Sequence, residues 1–274
     1  DWRILLWTIL VASSFLVNIY IATPILFIWF ADLLDKRKND RDVNSIQMLI
    51  EILCVSIILI ITLWQSGYLS VGAGSASGRD YGFRQLNLLA LFNSSGWSYI
   101  FNPISLAHPG FEGFNYLGLG ILLLLPFALF KIYTKKLVEK LFLSQHLFLI
   151  LCFICLILFA ISNNISFGPW QFKIELPELV LSSFGMLRSS GRIFWPIYYF
   201  LLLIIFLGTI WGYSRSQSII LLSVALCFQV IDTSAGWLPK KILLNQEYSS
   251  DWKLYLRDPL WRDFSTKYHQ ILET

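Results

Sequence analysis

The sequence predicts an all-α integral membrane protein with about six transmembrane helices and two long outward loops that bear short interfacial helices. Three observations carry that prediction. Hydrophobic residues make up 56% of the chain and charged residues 14%, against roughly a quarter charged in a soluble domain. The apolar residues gather into separate runs that approach the roughly 20 residues needed to cross the hydrocarbon layer. Lys and Arg cluster between alternate runs, on the side that the positive-inside rule makes cytoplasmic.

Taken in order, the run from Ile4 to Leu34 would reach about 45 Å as one helix, too long for a straight span and too short for two. Pro24 is expected to kink it, leaving the upstream half tilted or interfacial. DKRKNDRD, residues 35–42, follows as a cytoplasmic loop. The second span is Ile46 to Trp64, with Glu51 in its first two turns, open to a surface role or a proton-relay role. Phe114 to Phe130 forms the third, opened by Gly118-x-Gly120 and followed by Lys131, Lys135, Lys136 and Lys140. Leu147 to Ser162 is the fourth, Ile193 to Trp211 the fifth, and Ile219 to Ile231 a short sixth after a turn with Arg215. Residues 1–231 therefore form a polytopic membrane domain. Residues 232–274 are a polar, aromatic tail without a span, which could begin a larger outward domain.

Because the chain opens at Asp1 with no readable signal segment, upstream spans are expected to be missing. The net charge of +4 is mild and its basic residues flank hydrophobic runs, which argues against a nucleic-acid partner and for the lipid bilayer. Cys54, Cys152, Cys155 and Cys227 all fall in apolar runs and read as packing thiols.

The outward loops hold the candidate chemistry. The first, Gly67 to Tyr116, is longer than passive connections usually are. Within it, Arg84 to Phe92 suits a helix in the interface plane, and aromatic residues from Trp97 to Phe101 and Phe111 to Tyr116 suit headgroup depth. In the second, Pro177 to Phe184 reads as a short helix with Glu175 and Glu178 near its start. Arg188 and Arg192, four apart in LRSSGR, would share a helical face and match a phosphate geometrically; anchoring to lipid phosphates is the alternative. Arg79 and Arg84 could complete that site.

Asp80 and Glu112 are the loop's only carboxylates, compatible with a general base and a metal ligand or with structural hydrogen bonding. The cofactor is left unknown, a divalent metal being compatible with such a pair. His108 could relay a proton, bind a metal or simply tie the loop. GAGSASG, residues 72–78, lacks the strand and Lys-Ser/Thr context of a phosphate loop. No Asp, Lys, Arg or His falls midway through a span, which disfavours ion-coupled transport.

GFRQLNLLALFNSSGWSYIF, GFEGFNYLGLGILLLL, LRSSGRIFWPIYY and FQVIDTS together resemble a family of uncharacterised bacterial polytopic membrane proteins related to GT-C-type glycosyltransferases. The resemblance implies sugar transfer from a polyprenyl-phosphate donor at the outer face of the inner membrane, with the tail and long loops periplasmic. It matches Glu112 to the family's glycine-flanked acid and Arg188 and Arg192 to its Arg-x-x-Gly-Arg-like motif. Glu112, Asp80 and His108 are accordingly the catalytic candidates. Arg188, Arg192, Arg79, Arg84, Asn115, Tyr116 and Trp195 are the substrate-binding candidates. The family's usual N-terminal aspartate has no match here and is expected upstream of Asp1. A non-catalytic scaffold or lipid-handling component of envelope polysaccharide assembly is the alternative function.

Overall fold

A computed structural model describes residues 2–39, 45–69, 81–82, 84–105, 114–136 and 145–245. Helices dominate them: α1 (Trp2–Val17), α2 (Ile19–Asn39), α3 (Ser45–Gln65), α4 (Leu119–Thr134), α5 (Leu147–Ile161), the short α6 (Glu178–Phe184), α7 (Trp195–Gly212) and α8 (Arg215–Leu244). One antiparallel hairpin, β1 (Asn164–Phe167) and β2 (Trp170–Lys173), lies between α5 and α6. The chain divides into two compact units, residues 1–236 and 237–274. In the second, the described residues are the last turns of α8 and Asn245.

The first apolar run breaks at Asn18, not at Pro24, into two antiparallel helices. The Asn18 side-chain oxygen accepts the Tyr20 N–H at 2.8 Å, and its carbonyl accepts the Ile21 and Ala22 N–H groups at 3.0 Å. Asn18 thus caps α2, supplying the partner that a helix start lacks. Pro24 continues inside α2. After the reversal, Val11 and Phe15 of α1 pack with Ala22, Trp29 and Leu33 of α2 and Val55 of α3.

Three helical segments are long and apolar enough to cross a membrane: α3, Ser190–Gly212 and Arg215–Ile242. The shorter apolar helices α1, α4 and α5 hold 16, 16 and 15 residues, about 24 Å at 1.5 Å per residue, less than the roughly 30 Å of a hydrocarbon core. Several helix bounds differ from the sequence reading: α4 runs on to Thr134 and α8 starts at Arg215, and two shifts are larger. Phe114 to Gly118 is not helical, because Gly118 takes φ 83°, with the Gln229 side chain where a Cβ would stand. At the other end α8 continues past Ile231 to Leu244.

Glu51 is buried, not a surface acid. It accepts from Arg3 Nη1 at 3.2 Å and Trp29 Nε1 at 3.1 Å, while Arg3 also grips Asp32. Asp35, also buried, accepts the Phe148 and Leu149 N–H groups at 2.9 and 3.0 Å, so α2 caps the start of α5. These contacts gather the starts of α1, α3 and α5 with the end of α2. Lys131 at the end of α4 lies against Gly212 at the end of α7. The four cysteines are free, but Cys155 and Cys227 are exposed, which does not fit packing thiols at those two positions.

Candidate functional site

At the opposite end, where α1 turns into α2, the two long loops close on each other. Residues 84–92 do not form the expected interfacial helix, because Asn87 claims the local amides. Its Oδ1 accepts from Leu89 N at 2.9 Å and Gly168 N at 3.1 Å, and its Nδ2 donates to the Gly168 carbonyl at 3.0 Å. Side-chain bonds of this kind compete directly with helix hydrogen bonds. Leu88 N donates to the Ser166 carbonyl at 2.9 Å, and Gln85 Nε2 to Ser166 Oγ at 2.5 Å. Leu86 and Ala90 turn inward against Leu156 and Ala160 of α5. The first loop is therefore stapled to the hairpin of the second, a pairing that the sequence reading had no signal for beyond the Asn and Ser content.

Arg188 and Arg192 do not share an α-helical face. The 3-10 turn Gly185–Leu187 ends before them, and a second, Ser190–Phe194, carries Arg192. Ser189 between them, at φ −88° and ψ 57°, interrupts any continuous helix. Arg188 is exposed, whereas Arg192 is half-buried with its guanidinium 5.3 Å from the Tyr20 ring centroid. The Tyr20 hydroxyl in turn accepts the Ser189 N–H at 3.1 Å. Arg84 joins the group through its backbone, its carbonyl accepting the Gly191 N–H at 3.0 Å. The structure thus brings Arg84, Arg188 and Arg192 to one place and adds Tyr20, which the sequence reading missed.

An apolar groove of about 420 Å³ is lined in part by Leu187 and Ile193, the chain neighbours of Arg188 and Arg192. Thr23, one turn from Tyr20, lines its near end with Phe184, Leu187 and Ile193, while Leu34 and Phe148 line its far end. From Thr23 to Leu34 along α2 is about 16 Å at 1.5 Å per residue. Cys152 and Cys155 of α5 face into it. The lining carries no charged residue, and Leu187 and Ile193 within it adjoin Arg188 and Arg192 in the chain.

Asn115 and Tyr116 lie elsewhere on the same end of the bundle, both buried. The Tyr116 hydroxyl donates to Asp232 Oδ2 at 3.1 Å, and Asp232 Oδ1 accepts from Ser98 Oγ at 2.7 Å and Tyr99 N at 3.1 Å. Burial pushes the Tyr116 phenol up to about 12. Asp232, in α8, is thus a fixed acceptor that ties the first loop to the bundle. In the sequence it looked like the first residue of a tail, since nothing marked the helix as continuing. Trp195 is the half-buried first residue of α7. Arg79, Asp80, His108 and Glu112 lie outside the described residues. Among the described residues no group of three His, Cys, Asp or Glu is placed to hold a metal.

Helices of this length and composition, packed through three apolar clusters and exposing large hydrophobic side chains along α3, α7 and α8, define a helical membrane protein. More particularly, the chain belongs to the DUF6311 family, a domain of unknown function whose model matches residues 1–234. No curated protein and no solved structure matches it.

Proposed function

We propose that the chain is the C-terminal membrane portion of a GT-C-like glycosyltransferase that takes a polyprenyl-phosphate-linked sugar at the outer face of a bacterial inner membrane. In this reading the apolar helices cross or enter the bilayer, with the Lys- and Arg-rich end cytoplasmic and the joined loops periplasmic. The observation that carries the reading is the apolar α2–α5 groove, two of whose lining residues, Leu187 and Ile193, are the chain neighbours of Arg188 and Arg192. A polyprenyl chain gains about 0.8 kcal/mol for each CH₂ it buries, and an apolar channel free of charged lining suits that tail. The guanidiniums would hold the phosphate with charge-assisted bonds. Glu112 would position or activate the acceptor hydroxyl, since transfer from a phosphate leaving group needs positive charge on the phosphate and a base at the nucleophile.

The test uses the full-length protein and a polyprenyl phosphate, with the matching prenyl alcohol as control. Hydrogen bonds to charged groups are worth roughly 1.5–3 kcal/mol each, so Arg188→Ala with Arg192→Ala should weaken phosphate binding at least about tenfold and leave the alcohol unaffected. Unchanged phosphate binding would remove the arginines from the site. The groove equally favours a lipid-handling component that needs no acid. Glu112→Gln separates the two: loss of transfer with retained lipid binding marks the enzyme.

A further inference from the structure

We propose a second lipid site at the other end of the molecule, where α4 and α7 meet, that takes an acidic phospholipid. Pro126, Phe127 and Phe130 of α4 and Tyr213 line a cavity of about 370 Å³ there. The Tyr213 hydroxyl donates to the Phe127 carbonyl at 3.2 Å, which holds the ring across the cavity. Phe127 and Phe130 are 48% and 59% exposed on the helix exterior, so the cavity opens where acyl chains run.

Charge is added at one edge only. Lys131 Nζ stands 4.8 Å from the Tyr213 ring centroid and 5.5 Å from that of Phe130. Its stem lies over Gly212, where a Cβ would come 2.5 Å from Lys131 Cβ. The glycine therefore lets the lysine lie flat and deliver its ammonium to the aromatic rim. Phe127 and Lys131 lie four apart on one face of α4, and Lys135 caps the helix end just beyond. Lys135, Lys136 and Arg215, close in the chain to Lys131 and Tyr213, are exposed.

Neither α4 nor α7 contains an Asp or Glu, and in α8 the first carboxylate is Asp232, more than four turns from Arg215. The helices that build the cavity thus bring cations without carboxylates of their own. Cations at a helix C-terminus answer the helix dipole in part, but that role needs no cavity. An apolar slot with an ammonium group at its rim and further cations close by in the chain matches a ligand with an acyl tail and an anionic head. A protein segment would need polar partners in the slot, and none of its lining residues offers a charged one.

The probe is phosphatidylglycerol carrying a photoreactive group in one acyl chain, with the phosphatidylcholine analogue as comparison, added to the purified full chain in nanodiscs. Labelling is expected on residues 126–130, stronger for the glycerol headgroup, and competed by unlabelled phosphatidylglycerol but not by soluble glycerol phosphate. Each lysine near a membrane surface contributes about 1 kcal/mol toward an acidic lipid, or about fivefold. Lys131→Gln with Lys135→Gln and Lys136→Gln should therefore erase the headgroup preference, and arginine at all three positions should restore it. If the triple glutamine variant is not monodisperse, Lys131→Gln alone should lower the preference about fivefold. Equal labelling by both lipids, competition by glycerol phosphate, or a preference that survives loss of the lysines overturns the proposal.

Discussion

Arg3→Met tests how the first three helices are held together. Arg3 Nε and Nη2 both donate to Asp32 Oδ2, at 3.0 and 2.7 Å, and Nη1 donates to Glu51 Oε2 at 3.2 Å. Trp7 Nε1 also reaches Asp32, at 2.8 Å, and Trp29 Nε1 reaches Glu51 Oε1 at 3.1 Å. The two acids are not equivalent: the Asp32 side chain is 36% exposed and that of Glu51 only 3%. Without the guanidinium, Asp32 keeps Trp7 and solvent, whereas Glu51 keeps a buried negative charge. Removing one partner of a buried pair costs roughly 3–5 kcal/mol, and the 24% exposure of Arg3 places the expectation near the lower bound. Adding Glu51→Gln neutralises the stranded charge and should recover a substantial part of that loss, while Asp32→Asn alone should cost less than about 1 kcal/mol, as exposed pairs do. Reversible unfolding in mixed micelles, arranged as a double-mutant cycle, measures all of these. An Arg3→Met cost below about 1 kcal/mol, or no recovery on adding Glu51→Gln, would refute the view that Glu51 is a buried charge held by Arg3.

Three further outcomes follow from the packing. Asp35→Ala removes the acceptor for two N–H groups at the start of α5. It should cost about 2 kcal/mol, the upper range for a lost N-cap, with faster hydrogen exchange at Phe148 and Leu149. Gly120→Ala would drive a Cβ into the Ala225 carbonyl of α8, whereas at Gly208 it would meet the Ile132 side chain at 2.7 Å with the nearest backbone atom, the Ala128 carbonyl oxygen, at 3.4 Å. The first should therefore lower the melting temperature by the larger amount, within the roughly 1–3 kcal/mol of overpacked cores. Burial pushes the phenols of Tyr81 and Tyr116 up to about 12, against about 10 in an unfolded chain. The folded state holds these protons longer, so their contribution is complete below pH 10 and is lost as pH rises from 10 through 12. Tyr116→Phe should flatten that alkaline decline and remove one late-titrating phenol from the phenolate absorbance.

Much of the helical plan was readable because apolar run length reports directly on burial in lipid. The bounds of α3 and α5 fall within one residue of Ile46–Trp64 and Leu147–Ser162. What resisted reading was set by single polar side chains whose partners are remote in sequence. Asn18 divides the first run through a local cap, and an Asn followed by a helical pattern could have signalled it. Asn87 cancels a helix that its neighbours' leucines favour, but its partner Gly168 lies 81 residues away. Asp232 looked like the start of a tail because its donors, Ser98, Tyr99 and Tyr116, come from the first loop. Only the Gly208-x-x-x-Gly212 spacing, which lets α7 approach Ile132 and Lys131 of α4, was visible in advance as a known packing pattern and went unused.

The same contrast explains how the candidate site is assembled. Composition could place arginines in an outward loop, but not decide which of them meet an apolar surface, because that depends on how the loops return to the bundle. Leu86 N donates to the Ala160 carbonyl at 2.8 Å, and Ser190 Oγ approaches the same oxygen at 3.2 Å. One buried carbonyl near the end of α5 therefore fixes both loops, and with them the Gly191–Arg84 bond and the position of Arg192 over Tyr20. Arg188 and Arg192 follow from this backbone arrangement, next in the chain to the groove residues Leu187 and Ile193. A substitution that shortens or tilts the end of α5 should displace them together, without touching any residue of the phosphate site itself.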